Sequence, residues 1–303
     1  MLRRDFMREA VKGAFATSVL LSSPRIISTL SERGQHFGEI VVRMEHPHVR
    51  DDPKYTFDLG EAEDVLDGVR KAFRRRYVPA RGPDNLLTFC EILQEKPFSF
   101  RFTTMEDNPP DVLFLGEGIR GRKLDCDTSC FLAFDSIEDL ELPVSLANTV
   151  FDDGKQVSEH RYLIWKNRDG TYFNFHPNWC RFSTDEELAW SLTDIEIEKG
   201  IYMKPLERNR VFSDVIDNIG WYYLYIKNDY QKAEKILREA VRLDGKNMKV
   251  YFMLHDALRF QGRDKEAFDA LQYSTTYGRQ SYIKEYGKVM SSGILGTHRV
   301  NLL

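Results

Sequence analysis

The strongest restriction on the fold lies between residues 126 and 177, where one amphipathic helical pattern is followed by three strand patterns separated by turn residues. Over 126–140, Cys130, Phe131, Phe134, Ile137 and Leu140 recur at spacings that predict a helix with one buried face. Leu142-Pro143 stops it, because proline lacks a backbone N–H and restricts the residue before it. Residues 144–150 alternate as a strand, and Asp152-Asp153-Gly154 has the composition of a turn. Tyr162–Trp165 and Thr171–Phe175 then read as a hairpin around Asn167-Arg168-Asp169-Gly170. The expected class is α+β, with an antiparallel sheet and a cysteine-headed helix.

The flanking regions are more helical. From 37 to 123 the chain reads as a largely helical lead-in: periodic stretches at Val65–Phe73 and Leu86–Leu93 are mixed with strand-like alternation at Glu39–Arg43. His46-Pro47-His48 is expected to be a turn with two exposed imidazoles, since no third metal ligand stands nearby. In the C-terminal third, the segment Tyr230–Ala240 is echoed 34 residues later by Asp264–Leu271, with Ala233 matched to Ala267 and Leu237 to Leu271. A small residue is needed where two helices cross closely, and a larger one fills the space beside it. This pattern resembles tetratricopeptide repeats over about 212–278, with Gly262 at the inter-helix turn, Ser274 where a second Ala is usual and Gly245 where a Pro is usual. Two repeats fall below the roughly three needed to stand alone, so the pair is expected to pack on the preceding domain. The expected division is a leader at 1–30, a catalytic-type domain at 37–205, and helical repeats with a tail at 212–303.

Composition removes several classes of function. A net charge of -4 and a pI near 6.0 provide no electrostatic footprint for nucleic acid. No stretch approaches the roughly 20 apolar residues of a membrane-spanning helix. Near the N-terminus, Arg3-Arg4-Asp5-Phe6 ahead of the mildly apolar run Ala10–Leu21 resembles a twin-arginine export signal, which implies a periplasmic or other extracytoplasmic location; a frayed amphipathic helix on a cytoplasmic protein is the alternative. Ser22-Ser23-Pro24 only approximates a cleavage site. The cysteines Cys90, Cys126, Cys130 and Cys180 form no CxxC pair and are too few for a disulfide scaffold, although an exported chain permits a Cys90–Cys180 bridge. No GxGxxG or GxxxxGK loop is present, and no organic cofactor is expected.

The chemistry concentrates on Cys126, His160, Asn174 and His176. A thiol at a helix N-terminus is favoured as thiolate by unpaired N–H groups, which makes Cys126 the nucleophile and Cys130, one turn further in, a core residue. Asp125 and Asp127 oppose ionisation by charge but suit helix-capping positions. His160 is positioned to accept the thiol proton. The run Leu124–Thr128, the helix ending at Glu141-Leu142-Pro143-Val144, the strand His160–Trp165 and the strand Tyr172–Pro177 together resemble the transglutaminase-like superfamily of papain-type thiol enzymes, over about residues 85–180. That resemblance implies that Cys126 attacks an amide or ester carbonyl, that His160 shuttles the proton, and that the residue before Pro177 orients His160. The family has Asp at that position; here it is His176. Asn174 shares its strand face and is a second candidate to orient the base.

Three readings follow. The first is a thiol hydrolase or acyltransferase acting on amide bonds, with the repeats recruiting a protein or peptide. The second is a degenerate, noncatalytic binding module. The third is a zinc site made from Cys126, His160, His176 and Cys180.

Overall fold

The computed structural model describes residues 35–103, 112–152, 157–189, 192, 197–198 and 202–277. The export-signal segment, Asp153-Gly154 of the expected turn, and the tail after 277 lie outside them. The fold mixes helices with antiparallel sheet. Three helices open it: α1 (Phe37–Val49), α2 (Leu59–Arg76) and α3 (Asn85–Gln94). Ile40, Val41, Val42, Met44 and Val49 of α1 are all buried, so residues 39–43 are helical despite their strand-like alternation. A helix enclosed on most sides needs apolar residues all round, which erases the period that would have revealed it. His46 and His48 are therefore half-buried in the last turns of α1 instead of exposed on a turn. His48 Nδ1 lies 3.2 Å from the Tyr223 hydroxyl, and burial pushes its pKa down to about 4.

Helix α1 meets two neighbours at Gly38, where a Cβ would come within 2.8 Å of Leu66 and 2.9 Å of Asp135. The Asp135 carboxylate accepts the Gly38 N–H at 2.7 Å and an Arg70 N–H at 3.0 Å. The first strands, β1 (Arg101–Phe102) and β2 (Lys123–Leu124), pair in parallel around α4 (Leu115–Gly121). Glu45 accepts the Leu115 and Gly116 N–H groups at 2.9 and 3.0 Å, supplying the start of α4 with acceptors from another helix.

Helix α5 (Cys126–Ile137) runs into a 3-10 turn at Glu138–Leu140 before Pro143. A four-stranded sheet follows: β3 (Val144–Asp152), β4 (Val157–Lys166), β5 (Tyr172–His176) and β6 (Arg181–Ser183), antiparallel in that order. The β4–β5 turn uses Gly170 at φ 86°, in the left-handed region open to glycine. Leu146, Leu163, Trp165 and Phe175 face the core shared with α1–α5, whereas Ala147, Tyr162 and Ile164 on the other face pack with Leu188 of α6 (Asp185–Ala189).

Four helices complete the described chain: α7 (Arg208–Trp221, continuing as a π turn through Ile226), α8 (Tyr230–Leu243), α9 (Met248–Arg259) and α10 (Asp264–Tyr277). Ala233, Leu237 and Ala267 are buried, and a Cβ on Gly220 would approach Leu237 to 2.5 Å, so close crossing requires small residues here. The helices share one continuous core with the rest of the chain. Phe212 lies against Phe37, with ring centroids 5.5 Å apart, and the Tyr222 hydroxyl donates to Asp52 at 2.7 Å. Among the described residues no helix is long and apolar enough to cross a membrane.

Candidate active site

Cys126 is the first residue of α5, and Asp125 is its N-cap. The Asp125 carboxylate accepts the Thr128 N–H at 2.8 Å, while the Thr128 hydroxyl oxygen accepts the Asp125 N–H at 3.0 Å. This reciprocal pair is a capping box, so Asp125 serves the helix as its position suggested. The helix geometry leaves the Cys126 and Asp127 N–H groups without an intrahelical acceptor. Cys130, one turn on, is fully buried in the core.

The thiol itself is not thiolate-like. Burial, followed by the charges of Asp127 and Asp125, pushes the Cys126 pKa well above the usual thiol value, and the Arg161 backbone N–H opposes this only in part. Desolvation and adjacent carboxylates outweigh the helix terminus, which reverses the expectation drawn from position alone. The Arg161 contact also brings the sulfur to the main chain one residue beyond His160.

His160 lies within β4 and is buried. Its Nε2 is 2.7 Å from His176 Nδ1 on the adjacent strand, and His176 Nε2 is 2.6 Å from the Ser183 hydroxyl on β6. The indole of Trp179 covers both imidazoles, stacking on His160 at 4.4 Å and 10° and on His176 at 4.7 Å and 28°. Burial lowers His160 to about 3, with Arg161 and Arg181 contributing, and lowers His176 to about 2, with His160 contributing. Both rings are neutral at physiological pH. Two assignments of protons satisfy the chain: either His160 Nε2–H donates to His176 Nδ1 and His176 Nε2–H donates to Ser183 Oγ, or the Ser183 hydroxyl donates to His176 Nε2 and His176 Nδ1–H donates to His160 Nε2.

The two candidates for orienting His160 are thereby separated. His176 touches it; Asn174 instead donates to the Asp185 carboxylate at 2.6 Å, holding the start of α6. Two further participants, Trp179 and Ser183, had not been expected. Ser183 stands opposite Asn174 in the β5–β6 register, diagonal to His176, on a strand too short for its alternation to be read.

Behind the opposite face of β4 lies a buried charge junction. Arg161 is paired with Asp214 of α7, lies 3.7 Å from Asp127, donates to Asn148 Oδ1 at 3.1 Å, and sits over the Phe131 ring. Arg210 contacts Asp214 at 3.2 Å and Asp244 at 3.0 Å; Asn247 donates to Asp214 at 2.8 Å; and Lys249 pairs with Asp217 at 3.0 Å. These groups join the sheet to α7, α8 and α9.

Among the described residues, no group of three or more His, Cys, Asp or Glu is arranged to hold a metal ion, so Cys126, His160, His176 and Cys180 do not converge as a zinc site. Comparison of the chain with protein-family models, with curated proteins and with solved structures finds no match in any of the three.

Proposed function

We propose that this chain is a cysteine-dependent hydrolase or acyltransferase of the transglutaminase-like kind, acting on amide bonds, with Cys126 as nucleophile, His160 as base and His176 as the residue that orients the base. The observation carrying this reading is the 2.7 Å contact from His160 Nε2 to His176 Nδ1 on paired strands, one residue from Arg161, whose backbone N–H reaches the Cys126 sulfur. In the tautomer where His160 Nε2–H donates to His176 Nδ1, which catalysis requires, Nδ1 is the nitrogen through which His160 takes the proton. Because thiol and imidazole both rest neutral, proton transfer accompanies attack: the Cys126 S–H proton moves to His160 as the S–C bond forms. His160 then returns the proton to the departing amine as its C–N bond breaks. The helix-terminal N–H of Cys126 is available to the developing oxyanion. Water or an amine then resolves the acyl-enzyme.

A neutral His176 stabilises the imidazolium less than a carboxylate would, and Ser183 partly offsets this by holding the tautomer that presents Nδ1 as acceptor. Covering both rings, Trp179 keeps the relay dry. The helical region supplies partner recruitment in this proposal, and the twin-arginine-like leader supplies export.

The test is acylation by p-nitrophenyl acetate, followed by p-nitrophenolate release and by peptide mass spectrometry. An acetyl group on Cys126, absent in Cys126→Ala and formed about 100-fold more slowly in His160→Ala, is the expected result. Acetylation at other residues only, or a rate at Cys126 that ignores His160, sinks the catalytic reading.

The second reading, a noncatalytic binding module, is favoured by a separate observation. A groove of about 440 Å³ between α8, α9 and α10 is lined by Arg238, Arg242, Glu266 and Asp269 beside the stacked pair Tyr251 and Tyr273. Under this reading peptides captured from an array bind with Cys126→Ala in place and are lost with Tyr273→Ser. The reverse pattern, dependence on Cys126 alone, excludes it.

A further inference from the structure

We propose that Cys90 of α3 and Cys180 form a dithiol–disulfide pair that fastens the turn bearing Trp179 to α3. Both sulfurs lie 3.4 Å from a single acceptor, the Pro177 carbonyl oxygen, which brings the two thiols together as neighbours. Gln94, one helical turn beyond Cys90, donates to Cys180 Sγ at 3.4 Å, so α3 already holds the turn through sulfur on two levels. The turn is tight: the Trp179 N–H donates to His176 O at 3.1 Å, and Cys180 takes φ 51°, a left-handed conformation unusual for a residue with a Cβ. Such a residue needs its surroundings to hold it, and a covalent bond to α3 would do so.

The two cysteines are suited to different roles in forming that bond. Cys180 is half-exposed and Cys90 is buried. The neighbouring Cys90 thiol lowers the Cys180 pKa, and the Cys180 thiol, with burial, raises that of Cys90. With a small disulfide such as oxidised glutathione as oxidant, Cys180 thiolate attacks one sulfur, a mixed disulfide forms, and one glutathione thiol leaves. Cys90 then gives up its proton to solvent and attacks Cys180 Sγ, forming the Cys90–Cys180 bond and expelling the second glutathione thiolate. Two protein thiols are oxidised while one donor disulfide is reduced to two thiols, so electrons and atoms balance. The consequence is local. Trp179 stacks on both His160 and His176, so oxidation fixes the cover over the imidazoles, and reduction leaves it tied by weaker contacts. This inference does not depend on catalysis by Cys126.

The full-length protein is equilibrated in buffers of increasing oxidised-to-reduced glutathione ratio, quenched with N-ethylmaleimide, and digested without reductant. A single linked peptide joining Cys90 to Cys180 is expected, with intact mass lower by two hydrogens, a raised thermal midpoint that reductant reverses, and Cys126 and Cys130 still alkylated. Cys90→Ser should stop at a glutathione adduct on Cys180, and Cys180→Ser should form neither product. The proposal is overturned if all four thiols stay reduced even with diamide, if the bridge joins another pair, or if wild type accumulates the Cys180 adduct without resolving it.

Discussion

Successive residues of β4 face opposite environments, and the contrast organises the molecule. His160 belongs to the side that carries Tyr162 and His176, where neutral rings stack under Trp179 and exchange hydrogen bonds without net charge. Arg161 belongs to the side that carries Leu163 and Phe131, where it meets Asp214 and Asp127 in a dense set of buried ions. The period of two in a strand separates these environments by a single residue. Burial therefore has opposite consequences on the two sides. It keeps the imidazoles uncharged on the first side, and it makes ionic pairing obligatory on the second, where charges already face each other.

The sharpest way to break the contrast is Asp214→Ala, which leaves Arg161 and Arg210 without their shared partner. A loss of about 3–5 kcal/mol in urea unfolding is expected, because two buried guanidiniums then keep only the more distant Asp127 and the flanking Glu159 and Asp244, and an under-compensated buried charge costs more than the pair contributes. His176→Gln on the neutral face should cost far less, and equal losses would show that the two sides do not differ in kind. The proposed relay is addressed by comparing His160→Ala with His176→Gln in acylation of Cys126. Losses of about 100-fold and about 10-fold respectively are expected, with unfolding midpoints close to wild type. Burial also dominates at Glu45, whose pKa it pushes up to about 8, and at Glu117, pushed up to about 7. Raised carboxyl values mean that the folded chain binds protons the unfolded chain has lost, so the stability these two groups contribute is fully present below pH 4.5 and is lost as pH rises through about 7 for Glu117 and about 8 for Glu45. The slope is about 1.4 kcal/mol per pH unit for each full proton, and Glu45→Gln should flatten its upper part. Below pH 6.5 the depressed His48, His160 and His176 act in the other direction, since charging them is easier in the unfolded chain. The smallest effect is at Ser183→Ala, expected to slow acylation about threefold and leave stability unchanged. A full loss there would make Ser183 a structural residue and not a positioning one.

Much of the scaffold was legible before any coordinates. The Cys126 helix, the Asn167–Gly170 turn and the helices around Ala233 and Ala267 each carry a one-sided apolar pattern or a turn residue with a local cause. Helix α1 was not, because enclosure on most sides removed its period, and β6 was too short to have one. The choice between Asn174 and His176 was likewise closed to a linear reading. Both share a face of β5, and only the approach of α6, which brings Asp185 to Asn174, assigned each side chain its partner.

The order of chemical groups along the chain was the sequence's own contribution: a thiol at a capped helix start, an imidazole on one strand, and a second imidazole before Pro177 on the next. Local rules of capping, alternation and turn chemistry act over a few residues, and they suffice for that order. The protonation states, the Trp179 cover, the Ser183 partner and the Cys90–Cys180 approach were decided by tertiary structure. Desolvation and pairing depend on groups distant in the chain, here as far apart as Cys90 and Cys180, and no local pattern encodes which of them will meet.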